Sequence, residues 1–394
     1  MAEIKHAKLN WQLPFFKFLA GSTMFSTDFY ITFYFSSNSH FYSYFGISIM
    51  IGIALSIFSQ KLISGLIDSI NRKYMAIGVQ LLLGMFMILM FLFYRGVNLF
   101  ILLVVSAIIS LFYGWLYQIF NSLIKDISNF SNVGTNNGIS EISSQASGLF
   151  SGFVFVLVSS IINFKYSFLT SGVLCILVSI IMMGYPYENN LSSGKRIKRE
   201  QVSNFDYVRK NSRLILFVTA LNFPYIYVMI GNFIVPIFLI KFLGGDVDDI
   251  AIYSSIYAMG AILSGLFTPI TLGKFREIPT VGIYSIIFSI SSIFTVIFPF
   301  LYFFFIFRPF IGIGNGGTRI GRNTITMNRI ESENIGKFNG SVHLMVNSII
   351  MIILGLFSVL VNFVPIYYVL ITMTLIPIFP LLMANFYGKT ILKS

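Results

Sequence analysis

Charge is what this chain has least of: of its 394 residues 10% are charged, against 56% hydrophobic. No soluble core needs so much apolar surface, so the composition excludes an ordinary globular domain and points to a bilayer. Cysteine is nearly absent. Cys175 stands alone within an apolar run, which excludes an intramolecular disulfide. There is no Cys/His cluster with metal-ligand spacing, no phosphate-binding loop and no Ser-His-Asp logic in a soluble domain. The glycines of GIGNGGTRIG, residues 312–321, sit in an apolar run with no strand before them, so they suit close helix packing rather than a dinucleotide. No cofactor, no metal and no enzymatic activity are expected, and ATP hydrolysis is excluded.

What is present is one long apolar run after another. A spanning helix needs about 20 mostly apolar residues to cross roughly 30 Å of hydrocarbon. Twelve such spans are expected, at 12–35, 41–67, 74–94, 98–122, 137–163, 165–185, 212–241, 249–273, 278–298, 300–323, 339–363 and 365–388. The first begins after a short basic tail and is followed by further spans, so it reads as a transmembrane helix rather than a signal peptide. The fold class is thus an all-α polytopic membrane protein.

Acids are outnumbered 14 to 26 by lysine and arginine, for a net charge of +12. The bases gather on one side: Lys5, Lys8, Lys17, Lys61, Arg72, Lys73, Lys125, the cluster from Lys195 to Arg213, Lys274, Arg276, Arg319, Arg322, Arg329, Lys337, Lys389 and Lys393, against Arg95, Lys165 and Lys241 on the other. By the positive-inside rule both termini and the 186–211 segment face the cytoplasm. The KRIKRE run at 195–200 is expected to face lipid headgroups, not nucleic acid. Segment 186–211 divides the chain into a first bundle, 1–185, and a second, 212–394, joined by a basic linker.

The two parts repeat. At an offset of 202, NVGTNNG (132–138) falls on NIGKFNG (334–340), Gly114 on Gly316 and Asn121 on Asn323. At an offset of 200, SGL at 64–66 meets SGL at 264–266, and at 204 DFYITFYF (28–35) meets NFIVPIFL (232–239). Six helices per unit keep both copies in one membrane orientation, as parallel pseudo-repeats with substrate handled between them near the midplane.

The loop SGLIDSINRK, 64–73, resembles the loop between the second and third helices of the major facilitator superfamily, patterned G-x-x-x-D-[RK]-x-G-[RK]-[RK]. Asp68, Arg72 and Lys73 fall on the acid and the two terminal bases, while Ser64, Ser69 and Asn71 replace the other positions. Within that superfamily the chain is most similar to the macrolide-efflux type of drug exporter, through DSINRKYMAIG (68–78), NFIVPIF in span seven and LGKFRE (272–277). An Arg motif in span four and a Gly-Pro motif in span five, frequent in other drug:proton antiporters, are absent. The resemblance implies alternating access, export of a lipophilic small molecule and proton-coupled antiport. The Ile, Phe, Asn, Ser and Lys richness suggests an AT-rich bacterial genome, so a multi-pass protein of a bacterial cell membrane is expected, a monomer with substrate, protons and the lipid bilayer as its partners.

Candidate residues follow from the cost of polar groups in hydrocarbon. Asp28, mid-span one, Glu141 in span five and its repeat-mate His343 in span eleven are candidates for proton coupling. Gln145 and Asn347 stand one turn on from the last two, on the same helix faces, so the two polar stripes are expected to point at each other across the central axis, Glu141 toward His343. Arg308, read as the only basic residue well inside a span, either balances Asp28 or Glu141, binds an anionic substrate group or snorkels outward. Gln118, Asn121, Asn222, Asn232 and Asn315 complete the cavity candidates, with Arg319, Arg322 and Asn323 beside them. At the cytoplasmic face, Asp68 is expected to meet the start of span eleven near Asn339 and Gly340, and Arg72 to reach Asp126, forming with Lys73 a gate. An importer or facilitator, a lipid flippase, and a non-transporting receptor or immunity protein are the competing classes.

Overall fold

The computed structural model describes residues 12–37, 42–96, 98–158, 164–187, 204–245, 247–375, 378, 381 and 382. Among the described residues every regular element is helical. The first set is α1 (Gln12–Ser37), α2 (Tyr42–Ser69), α3 (Arg72–Phe93), α4 (Leu99–Asp126), α5 (Val133–Val158) and α6 (Phe164–Met183). Of the expected basic linker, residues 186–187 and 204–211 are described, the latter carrying the short α7 (Asn204–Lys210). The second set is α8 (Ser212–Ala220), α9 (Phe223–Lys241), α10 (Val247–Phe275), α11 (Glu277–Ile297), α12 (Leu301–Arg329), α13 (Ile335–Phe363) and α14 (Ile366–Leu375), with a 3-10 turn at Ser332–Asn334 before α13.

Eight helices among the described residues are long and apolar enough to cross a membrane: α2, α3, α4, α6, α9, α10, α11 and α13. Each of the twelve expected spans falls on helix, but span seven is two pieces. Pro224 sits in the first turn of α9 and has no N–H to continue the ladder from α8. The tail of span twelve beyond 382 and the 159–163 end of span five lie outside the described residues. Lipid takes the outer faces, where Phe58, Leu92, Tyr302 and Phe363 are exposed. Inside, α12 is carried against α10 and α11 by its glycines. A Cβ on Gly314 would stand 2.6 Å from Phe288 of α11, and one on Gly312 would run into the Tyr257 carbonyl of α10.

Packing follows the repeat. Helix α2 lies against α4 as α10 lies against α12. Across the two sets, α2 meets α13 and α5 meets α10. These two seams are copies of one another under the sequence offset, and the repeated motifs are where they touch. A Cβ on Gly340 would be 2.7 Å from the Ser64 Cβ; one on its mate Gly138 would be 2.5 Å from the Gly265 carbonyl oxygen. The N-G pair of each copy thus rests on the S-G-L of the other, and glycine lets the backbones approach.

Candidate functional site

The ends of α2, α4 and α12 and the start of α13 converge at one end of the bundle, called here the basic end. Asp68, one residue before the end of α2, points its carboxylate along the axis of α13: Oδ1 accepts from the Gly336 amide at 2.8 Å and Oδ2 from the Lys337 amide at 2.9 Å. These are free first-turn donors at the positive end of a helix. The contact falls three residues before the expected Asn339 and Gly340, because α13 begins at Ile335 rather than 339. Gly340 packs on Ser64 a turn deeper.

Arg72 is fully buried. Its Nε donates to the Ile67 carbonyl at 3.2 Å, one Nη to the Ser122 carbonyl and the Asp126 carboxylate, and the other Nη to the Ser332 carbonyl at 2.5 Å. It thereby ties α2, α4 and the turn before α13 together. Tyr187 donates to the other Asp126 oxygen at 2.5 Å. Burial, with the Asp126 charge beside it, pushes the Tyr187 hydroxyl well above the usual phenol range, so it stays a donor. Lys125 reaches the Met327 carbonyl across the sets, and Asn137 donates to Thr324 at 3.2 Å. Lys73 departs from its expected gate role: its ammonium caps the end of α6 through the Met183 and Tyr185 carbonyls, both at 2.7 Å, within its own set. Asn71, where the family loop carries a second glycine, caps α3 through the Lys73 amide.

Deeper in, a cluster of charges bridges the sets. Glu141 of α5 accepts from Arg319 of α12, with Nη1 3.1 and 3.3 Å from its two oxygens, and both side chains are buried. Lys17 of α1 donates to Ser140 at 2.6 Å and stands within electrostatic reach of Glu141. Its ammonium also lies 5.4 Å from the Tyr117 ring. Arg319 and Arg322 face the Tyr225 ring at 5.7 and 6.0 Å. Gln145 donates to Glu141 at 2.9 Å. Glu141 lies eight residues into α5, about 12 Å from the basic end at 1.5 Å per residue.

The expected facing of Glu141 and His343 is not found. Repeat-mates occupy equivalent places in their own sets, and here they pair differently: Glu141 takes Arg319, while the His343 ring packs on Tyr117 at 5.8 Å and its Nδ1 has no partner. Asn347 donates to Ser56 at 3.2 Å, and Gln118 exchanges two bonds with Gln60. Asn222 bonds the Val218 carbonyl at the helix break. A cavity of about 30 Å³ remains among Tyr117, Asn121, Arg322, Asn323, Asn339 and His343. That is room for a water or two, against the 300 Å³ or more of a ligand pocket. Asn232 is exposed and takes no part in this network, and Asp28, part-buried, makes no hydrogen bond to a described residue.

Arg308 is buried rather than snorkelling, and it is not the sole basic group inside a span, since Lys17, Arg319 and Arg322 are buried too. Its guanidinium carbon lies 3.8 Å from the Tyr253 ring centre and 4.4 Å from that of Tyr257. An arginine at mid-helix costs about 3 kcal/mol to insert, and two desolvated cation–π contacts of roughly 2 kcal/mol each offset it. Asn315 donates to the Tyr257 hydroxyl at 2.5 Å. Arg308, Asn315, Arg319 and Arg322 share one face of α12, since steps of 7, 11 and 14 residues return within about 40° at 100° per residue.

Two helical sets, related by an internal repeat, locked at one end and enclosing buried charges, define a polytopic membrane transporter. The chain belongs to the Major Facilitator Superfamily, whose family model matches residues 18–356. Its fold is similar to that of a bacterial homologue of the iron transporter ferroportin in an outward-facing state, at 13% identity and a TM-score of 0.72 over 98% of this chain and 100% of that one. The same kind of homologue with soaked iron gives 14% identity and a TM-score of 0.68 over 95% and 99%. No curated protein matches the chain in sequence.

Proposed function

We propose that this transporter is a secondary active exporter of a lipophilic small molecule, that the basic end is cytoplasmic, and that the state described is closed toward the cytoplasm. The outward-facing state of the similar bacterial structures supports that orientation. The observation that carries the reading is the Glu141–Arg319 pair, which joins the two sets through one buried carboxylate. While the basic end is shut, Glu141 is paired with Arg319 across the sets. When the sets part on that side the carboxylate loses its partner, so this pair makes and breaks with the conformational cycle, and Glu141 is the residue proposed to couple that cycle to protons. A chemical gradient and the membrane potential, about 2.3 kcal/mol per charge per 100 mV, then drive the cycle.

The iron soaked into one of the similar structures is not carried over to this chain: among the described residues no group of three His, Cys, Asp or Glu side chains is placed to hold a metal ion. The test is a growth-inhibition panel of cells with and without the gene, then flux of any hit in proteoliposomes under an imposed pH gradient. Glu141→Gln abolishes the gradient-driven component. Full proton-driven efflux in both Asp28→Asn and Glu141→Gln overturns the assignment.

A further inference from the structure

Charge inside this protein is lopsided. Lys17, Arg308, Arg319 and Arg322 are buried, and among the described residues the one carboxylate that forms an ion pair with any of them is Glu141. Among the described residues Arg308 has no carboxylate within ion-pair distance. It stands two turns from the outer end of α12 and about 16 Å along the helix from Arg319, at 1.5 Å per residue. A guanidinium does not lose its proton in a protein, so this charge is permanent.

The setting is built. Tyr253 and Tyr257, one turn apart on α10, flank the guanidinium. Gly260, the next turn on, lets the α10 backbone come against Pro309, and Gly312 lets α12 come against the Tyr257 carbonyl. The approach that seats Arg308 between the rings is therefore fixed by the backbone. Yet two polar atoms of this cluster have no hydrogen-bond partner: the donor Nε of Arg308 and the acceptor Oδ1 of Asn315, in side chains 5% and 0% exposed. Buried polar groups are normally satisfied, so an unmet donor on a permanent cation points to a ligand group as its missing partner.

We propose that Arg308, with Tyr253, Tyr257 and Asn315, forms an anion-binding site that takes the acidic group of the cargo, an organic amphiphile carrying a carboxylate, sulfonate or phosphate on an apolar body. The fork of Arg308 grips the acid, the tyrosine rings hold the apolar part and the Asn315 oxygen accepts from any acidic hydroxyl. The cargo in this statement rests on the transporter reading; the site does not.

The experiment uses the full chain in nanodiscs of phosphatidylcholine and three probes of equal chain length: octyl phosphate, octyltrimethylammonium and octanol. Octyl phosphate raises the melting temperature saturably, and the other two do not. Arg308→Gln weakens that binding by about 10- to 100-fold, the loss of a charge-assisted bond. If Arg308→Gln does not assemble, Arg308→Lys keeps the charge without the fork and weakens it by a smaller factor. Equal protection by all three probes overturns the site, as does octyl phosphate binding that is unchanged in both variants. Stabilisation by phosphatidylglycerol discs with none from octyl phosphate assigns the site to a bilayer lipid and overturns the cargo. Flux in proteoliposomes without Arg308-dependent protection sinks this inference and leaves the transporter reading; protection without flux does the reverse.

Discussion

Asp68→Asn removes the charge that joins the end of α2 to the start of α13. Two backbone amides, Gly336 and Lys337, now donate to one carboxylate at 2.8 and 2.9 Å. Each bond to a charged group contributes about 1.5–3 kcal/mol, and the helix terminus adds roughly 0.3–1 kcal/mol. Asparagine keeps one neutral bond of about 1 kcal/mol and turns its amide donors toward the other N–H. Because Asp68 is only half-buried, the gross loss is cut by solvent screening to about 1.5–3 kcal/mol. That shifts the balance away from the closed basic end by roughly 10- to 150-fold. Spin labels at Ser69 and Glu331, exposed on the two sides of this contact, report the shift as a longer distance population in Asp68→Asn. Substrate affinity measured on the same sample stays within about twofold, since the site is deeper. An unchanged distance distribution, or lost binding with normal cycling, refutes the latch.

Three further outcomes follow from the same contacts. Glu141→Gln leaves Arg319 buried without its partner and lowers stability by about 3–5 kcal/mol, read by thermal unfolding, while Glu141→Gln with Arg319→Gln recovers part of it. Gly138→Val and Gly340→Val each force a side chain into a seam with no room; each costs the closed state about 1–3 kcal/mol, and the two variants give matching shifts in the spin-label distances. Arg72→Lys keeps a charge but not the five-donor fork that serves Ile67, Ser122, Asp126 and Ser332. It destabilises by about 2–4 kcal/mol in thermal unfolding, whereas Lys73→Arg, which still caps α6, changes little.

The elements legible in the sequence are those that rest on period and position. Apolar runs of the right length locate the helices, and the repeat offset locates the seams, because N-G and S-G-L are the places where two backbones must nearly touch. Asp68, Arg72 and Asp126 sit at helix ends whose order along the chain already brings them together. The inner cluster was hidden for a physical reason. Counting Lys17, Arg319 and Arg322 toward the basic side assumes that each span ends where hydropathy falls. Yet α12 runs on to Arg329, and its polar last turns are covered by α5 and α10. The tyrosines were hidden among 44 phenylalanines and 21 tyrosines. Their signal is the i, i+4 spacing of Tyr113 with Tyr117 and of Tyr253 with Tyr257, which sets two hydroxyls on one helix face. Glu141 and His343 mislead in the opposite way: a repeat makes two positions equivalent without making them neighbours.

Alternation itself is the central claim, and distances at both ends measure it directly. One label pair at Ser69 and Glu331 reads the basic end; another at Arg95 and Phe300, exposed between α3 and α4 and before α12, reads the opposite end. In nanodiscs, as pH is lowered and a transported compound is added, the first distance lengthens as the second shortens, in equal populations. Two ends that open together, or neither moving under any condition that supports flux, would contradict the account.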